Sequence, residues 1–286
     1  MENLTLVLEG GAFRSLYTSG VLDVLLKENI EANYVIGVSA GALTGMNYVS
    51  KQIGRTRDIN IGFRDDKKYI GIEALKREHG LIGFDYLFND ISKKKNVFDY
   101  KAFKDSKQTF KAVITNCEKG ITEYIDKDSC NEDEILKAVQ ASSSMPLCSK
   151  MVEFHDFHYL DGAVTNSIPI NVPIDEGHKN ILVVLTRDKN YRKPEVSKTM
   201  KRVYKKVYAK YPELIEKLNT IPDRYNQTKD YINKLEKEGR IIVVQPKKAV
   251  TVSRLEKDKK KLQDLYDDGV NDMKEITKDK TLLTHL

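Results

Sequence analysis

An α/β protein built on a mainly parallel sheet is the architecture that this chain of 286 residues predicts. Three observations carry that reading. Short apolar runs of strand length alternate with segments of helical period. Two of those runs lead straight into glycine turns followed by a helical pattern, the rhythm of successive strand–turn–helix units. Hydrophobic residues make up 40% and charged residues 31% of the chain, a balance suited to a folded domain rather than a disordered one. At roughly 150 residues per domain the length fits two domains or one large α/β unit.

Each element follows in order. Leu4 to Leu8 is a short apolar strand ending in Glu9-Gly10-Gly11. Leu16, Val21, Val24, Leu25 and Leu26 then recur at helical spacing, and Asn29 marks the stop. Tyr34-Val35-Ile36 is a second buried strand running into Gly37-Val38-Ser39-Ala40-Gly41, and Ala42 to Tyr48 is helix-compatible. Residues 50 to 108 mix short helices and loops. Lys111 to Thr115 reads as a strand with Thr122 to Ile125 as its hairpin partner or neighbour. Glu132 to Ser142 has an acidic start and apolar Ile135, Leu136 and Val139 at helical spacing, ending at Met145-Pro146. Glu153 to Leu160 reads as a hairpin turning at His155-Asp156 and delivering Asp161-Gly162-Ala163. Asn180 to Thr186 is the strongest strand pattern. Met200, Val203, Tyr204, Val207, Tyr208 and Tyr211 form a helical stripe between lysines. Leu214 to Leu218 and Tyr225 to Lys237 are helical, Arg240 to Gln245 is a late strand, and Val252 onward is charged and helical.

Composition removes several classes. Cys117, Cys130 and Cys148 show neither disulfide-framework nor zinc spacing, and a reducing cytoplasm suits them. No apolar run approaches the ~18 residues of a membrane span, and MENLTLVLEGG lacks the basic leader and long apolar stretch of a signal peptide. The net charge is +6. Arg187 to Lys210 holds ten Lys/Arg against Asp188 and Glu195, a local balance of +8, so the remainder is near −2. The basic character is therefore local. It reads either as a solvated face opposite a core-facing Val/Tyr stripe, or as a peripheral contact with an anionic membrane surface. Nucleic-acid binding finds no motif and no chain-wide basic balance.

Three segments can carry chemistry. Gly37-Val38-Ser39-Ala40-Gly41 has the G-x-S-x-G form of a nucleophile elbow. Gly37 and Gly41 let the backbone fold back, so that Ser39 stands at the start of a helix whose dipole favours developing negative charge. Glu9-Gly10-Gly11-Ala12-Phe13-Arg14 is a turn whose N–H groups can converge as an oxyanion hole or phosphate cradle, or simply join strand to helix. It matches neither the dinucleotide nor the phosphate-loop fingerprint. Asp161-Gly162 offers a carboxylate at a strand end, equally the form of a turn cap. Of His79, His155, His158, His178 and His285, only His178 extends an order Ser39…Asp161…His178, and it stands in a polar turn. His155 and His158, three apart on a strand, point to opposite faces and make a poor metal pair.

Together, Glu9-Gly10-Gly11-Ala12-Phe13-Arg14-Ser15, Gly37-Val38-Ser39-Ala40-Gly41 and Asp161-Gly162-Ala163 resemble the oxyanion loop, elbow and aspartate of the patatin-like phospholipase family, with Ala141 to Pro146 similar to its segment before the aspartate. The resemblance implies a three-layer α/β/α patatin-like fold, a catalytic domain over 4–172, and a helical C-terminal extension over 173–286. Within that extension Ser253 to Asp258 is the most familiar run. It further implies a serine acyl hydrolase acting on lipid or other acyl esters, without metal or cofactor, at the cytoplasm or its inner membrane face. Ser39 would be the nucleophile and Asp161 its proton acceptor. The N–H groups of Gly10, Gly11 and Ala12 would hold the oxyanion, with Arg14 bracing their loop. Glu9, Ala12 and Ser15 depart from the family's Asp, Gly and Gly. Ala12 keeps its N–H, but at positive φ its Cβ costs about 1 kcal/mol. Two other functions stay open: a lipid-binding protein of weak activity, and a histidine-dependent esterase using His178.

Overall fold

The computed structural model describes residues 3–278. Strand β1 (Leu4–Leu8) leads through a short 3-10 turn, Ala12–Ser15, into helix α1 (Leu16–Lys27), and β2 (Tyr34–Val38) leads into α2 (Ala40–Val49). Asn29 stops α1 as expected. It sits at φ 56°, and the Asn29 and Ile30 N–H groups return to the Leu26 and Leu25 carbonyls, closing a Schellman motif.

Residues 50 to 108 hold α3 (Arg55–Gly62), α4 (Ile72–Glu78), a π-helical segment, Tyr86–Lys95, and α5 (Tyr100–Asp105). Strand β3 (Thr109–Asn116) pairs antiparallel with β4 (Ile121–Asp126), and a capping box from Asn131 and Glu134 opens α6 (Glu132–Ser143). The hairpin of β5 (Val152–Phe154) and β6 (Phe157–Asp161) turns on His155 and Asp156, both at positive φ, as a two-residue loop of primed type requires. Then come α7 (Asn171–Asp175), β7 (Asn180–Val184), α8 (Lys198–Val207), α9 (Pro212–Asn219), α10 (Ile221–Lys237), β8 (Ile242–Val244) and α11 (Lys259–Lys278). The chain from Val252 to Asp258, expected to be helical, is instead a loop ahead of α11.

The sheet runs β5-β6-β3-β2-β1-β7-β8, with β4 also on β3. Its centre, β3-β2-β1-β7-β8, is parallel, and the hairpins at one end are antiparallel. Alternation along β1 shows how both faces are covered. Leu4, Leu6 and Leu8 join the core formed with α1, α2, α6 and α11, while Val7 joins the opposite core with Ile168, Ile170 and α10. That makes three layers. The C-terminal extension therefore supplies two strands as well as helices, and β7 lies directly beside β1 in register Leu6↔Leu182.

Helices α1 and α11 pack at unusually close range. A Cβ on Gly20 would stand 2.2 Å from the Tyr266 carbonyl oxygen, and one on Gly269 would stand 2.1 Å from that of Tyr17. Only glycine fits at both crossings. Tyr17 donates to Asp272, and Tyr266 to Asp23, at 2.8 Å each, so two tyrosine–aspartate pairs tie the helices together across the seam.

Candidate active site

Strand β1 has β2 on one side and β7 on the other, so the crevice beyond its carboxyl end is a topological switch point. The oxyanion-type loop follows β1 and the elbow follows β2, which brings both to that crevice. Gly37 and Gly41 behave as the sequence predicts. A Cβ on Gly37 would come within 2.7 Å of the Gly41 and Ala42 backbone, and one on Gly41 within 2.6 Å of the Leu8 carbonyl oxygen. The turn drives Ser39 to φ 58° and ψ −128°, a conformation strained for any residue with a Cβ. Its N–H donates to the Ser142 hydroxyl at 2.8 Å.

Asp161 ends β6, fully sheltered, and its side chain faces the Ser39 hydroxyl. Burial pushes its carboxyl up to about 6, against the opposing pull of the Ala163 N–H at 2.8 Å and of Ser39. Gly162 follows it in a short 3-10 turn. The Asp161 backbone is also held at both ends. Its N–H donates to the Ser144 carbonyl and its own carbonyl accepts from the Thr115 hydroxyl, each at 2.9 Å.

The glycine turn packs against the elbow so closely that a Cβ on Gly10 would stand 2.8 Å from that of Ser39. Among the described residues, the N–H groups of Gly10 and Gly11 have no partner, and the φ of Ala12 is 50°. Ala12 thus carries the strain that its replacement of glycine implies. Ser15 offsets part of it by donating its hydroxyl to the Ala12 carbonyl at 2.7 Å, so two of the three departures in this loop act as a pair. Glu9, the third, is buried and doubly bonded. One oxygen accepts the Thr186 N–H at 2.6 Å and the other the Tyr225 hydroxyl at 2.8 Å. Arg14 is almost fully buried behind the loop, and its N–H donates to the Gly11 carbonyl at 3.1 Å.

Two chambers meet at Ser39. One is apolar, walled by Leu43, Met46, Ile59, Ile82, Phe84 and Phe88. The other is polar and contains Glu9, Arg14, Asp161, Arg187, Lys193 and Arg254. Ser39, Ala12, Met145 and Arg254 border both. The wall of the apolar chamber is drawn from residues 12–15, 39–47, 55–60, 69–70, 82–100, 132–145 and 254–255, too scattered to form one pattern along the chain.

No histidine among the described residues lines either chamber. His178 bonds the Thr5 hydroxyl at 2.6 Å at the start of β1, about 16 Å of strand away from the elbow, which removes the triad through His178. His155 and His158 lie on the outer hairpin beside Glu134 and Glu118. His285 lies outside the described residues. The stripe of the basic segment meets its core-facing expectation only in part: Met200 and Val207 are exposed, Tyr204 and Tyr211 pack half-buried against the core, and Tyr208 is buried in it.

Sequence reading missed the Ser142 hydroxyl, the Tyr225–Glu9 bond, and the placement of Lys193 and Arg254 at the site. Ser142 lay within the family-like run, whereas the others come from segments distant in sequence and carry no local signature.

Fold and site together define an α/β protein with a serine elbow at the carboxyl end of a parallel strand, facing a buried aspartate. The chain belongs to the patatin-like phospholipase family, whose model matches residues 6–174. A second model, a domain of unknown function (DUF6363), matches residues 211–279. The chain is 25% identical over 204 residues to the uncharacterized protein YjjU of Escherichia coli K12, covering 70% of this chain and 56% of that one. It is 26% identical over 192 residues to the probable lipid hydrolase 463L of Invertebrate iridescent virus 6, covering 61% of this chain and 64% of that one. It thus spans little more than half to two thirds of the length of these relatives. In fold it is similar to VipD from Legionella pneumophila, with a TM-score of 0.54 at 13% identity over 100% of this chain and 67% of that one.

Proposed function

We propose that this protein hydrolyses carboxylic esters of lipids through an acyl-enzyme on Ser39, with Asp161 as the only proton carrier. The observation that carries the reading is the strained Ser39 facing a buried carboxylate beside two unpartnered amides. Asp161 takes the hydroxyl proton as Ser39 Oγ attacks the ester carbonyl carbon. The carbonyl oxygen becomes an oxyanion held by the N–H groups of Gly10, Gly11 and Ala12, each such donor being worth roughly 3–4 kcal/mol in a serine hydrolase. The bond to the alcohol oxygen then breaks, and Asp161 returns the proton to that oxygen. Water attacks the acyl-enzyme with Asp161 again accepting a proton, Oγ leaves and takes that proton back, and the fatty acid departs. A carboxyl near 6 is a better base at neutral pH than an ordinary aspartate. The apolar chamber takes the acyl chain, and residues 4–172 form the catalytic unit on which 173–286 packs.

Helix α8 is the surface we assign to the membrane. It lines up exposed Met200 and Val207 with exposed Lys198, Lys201, Arg202, Lys205 and Lys206. Tyr204 on the same helix borders the polar chamber, so docking here brings the site to the lipid surface.

The test is covalent labelling with a fluorophosphonate read by intact mass. One adduct is expected on the wild type, absent in Ser39→Ala and much slowed in Asp161→Asn. A wild type that takes no adduct would leave the lipid-binding alternative instead.

A further inference from the structure

The polar chamber beside Ser39 holds more positive charge than the chemistry of the serine and aspartate requires. Four cations line it, Arg14, Arg187, Lys193 and Arg254, against two carboxylates, Glu9 and Asp161. Both carboxylates are engaged elsewhere: Glu9 with Thr186 and Tyr225, and Asp161 with Ala163 and Ser39. Three of the four cations come from beyond residue 174, outside the segment that the family model matches.

The neighbours of those cations show that the arrangement is selective. In the same segment Lys189 and Arg192 point outward and pair with Glu236 and Asp230. Arg187 and Lys193 turn inward, and among the described residues no ion pair takes either of them, nor Arg14 or Arg254. Arg187 stacks on Tyr191 at 4.5 Å and Lys193 on Tyr225 at 4.2 Å, with the two rings edge to face at 6.0 Å. One guanidinium N–H of Arg187 reaches the Val250 carbonyl at 2.9 Å. The Nε atoms of both Arg14 and Arg187 are buried without a partner, and Arg14 itself is only 8% exposed. Leaving such donors unmet is costly. Burial, with like charge behind it, lowers Lys193 to about 8 and Arg14 to about 10, and an anion in the chamber would oppose both shifts.

Resting on the hydrolase reading above, we infer that Arg187, Lys193 and Arg254, together with Arg14, form a subsite for the anionic phosphate of the substrate. This subsite selects acyl esters of a phosphorylated alcohol without a head-group cation. Arg254 borders both chambers, so a phosphate bound there leaves the ester at Ser39 and the chain in the apolar chamber. The two aromatic faces that could receive a quaternary ammonium already carry Arg187 and Lys193, which turns the chamber against choline esters.

The test compares kcat/KM for three monomeric substrates of one chain length: a lysophosphatidic acid, a lysophosphatidylcholine and a monoacylglycerol. The wild type is expected to rank them in that order, the first ahead of the last by about tenfold or more. In Lys193→Met and in Arg254→Gln the ratio of first to last should collapse towards one. Arg254 is exposed, so its variant reports even if Lys193→Met folds poorly. A ratio unchanged in Arg254→Gln and in a folded Lys193→Met overturns the inference. Inorganic phosphate serves as a competing probe: tight binding of free phosphate with no preference among the lipids would assign the chamber to a soluble phosphate instead. Fluorophosphonate labelling of Ser39 runs alongside. Labelling without a lipid preference defeats this inference alone, and its absence from the wild type defeats the hydrolase reading.

Discussion

Asp161 is the residue on which chemistry and stability pull in opposite directions. Burial raises its pKa from the usual 3.8 to about 6, so the folded chain binds that proton more tightly than the unfolded one. Its contribution to folding is therefore most favourable below about pH 4 and declines as pH rises towards 6, where the fold carries a buried ionised carboxylate. The proposed mechanism needs that ionised form, so kcat/KM is expected to fall tenfold per unit below about pH 6. Asp161→Asn should be inactive yet more stable than wild type above pH 6, by on the order of 1–3 kcal/mol, the difference closing towards pH 4 in denaturant titrations. On a phosphate-bearing substrate a second limb is expected near pH 8, as Lys193, lowered mainly by burial, loses its proton. A monoacylglycerol should lack that limb. Ser39 and Ala12 add local strain at positive φ. In both cases it is held by neighbours, the Ser142 hydroxyl for one and the Ser15 hydroxyl for the other.

Among the elements, α8 and the loop before α11 do the most that periodicity did not reveal. The Val/Tyr spacing of α8 reads as a core stripe, yet no residue of the helix is fully buried: Tyr204 packs half-buried against a core that Tyr208, Leu214 and Leu218 fill. Its open apolar edge flanked by lysines suits an anionic bilayer, where each lysine near the surface is worth about 1 kcal/mol. Lys201→Glu with Lys205→Glu is expected to weaken sedimentation with phosphatidylglycerol vesicles by roughly tenfold or more, and raised salt should do the same to the wild type. Binding that survives both would remove α8 as the docking surface. The loop 252–258 shows the opposite kind of surprise, a charged run expected to be helical that is locked in a turn. Three backbone N–H groups on the Glu256 carboxylate pull it down to about 2, and Arg64 clasps the Leu255 and Glu256 carbonyls. That turn carries Arg254 to the border of the two chambers.

At the scale of the whole molecule, the family segment holds β1 to β6 but not β7 and β8, so its sheet is incomplete without the rest of the chain. β7 completes the far side of β1, and α11 seals α1 through the Gly20 and Gly269 crossings. A fragment of residues 1–174 would expose one edge of its central strand and the apolar face that α11 covers. It is expected to show no cooperative thermal transition, whereas the full chain melts as one unit. A fragment that melts cooperatively would mean that the two parts fold separately. Among the described residues no helix is long and apolar enough to cross a membrane.

What the amino-acid order determined by itself is whatever depends on neighbours along the chain. The strand–glycine–helix units, the elbow at Ser39, the stop at Asn29 and the hairpin at His155-Asp156 are set by backbone sterics within a few residues, and each is legible in the sequence. The family motifs added the meeting of Gly10, Ser39 and Asp161. Only the tertiary structure decided the rest, because those properties arise between segments far apart in sequence. The raised carboxyl of Asp161 comes from burial, the apolar chamber from segments spread along the chain, and the exposure of α8 from a core already filled. The inward turn of Arg187 and Lys193, beside the outward turn of Lys189 and Arg192, is the sharpest case. The four are alike in composition, and only the fold places two of them in the chamber that Ser39 borders, where among the described residues no ion pair takes either.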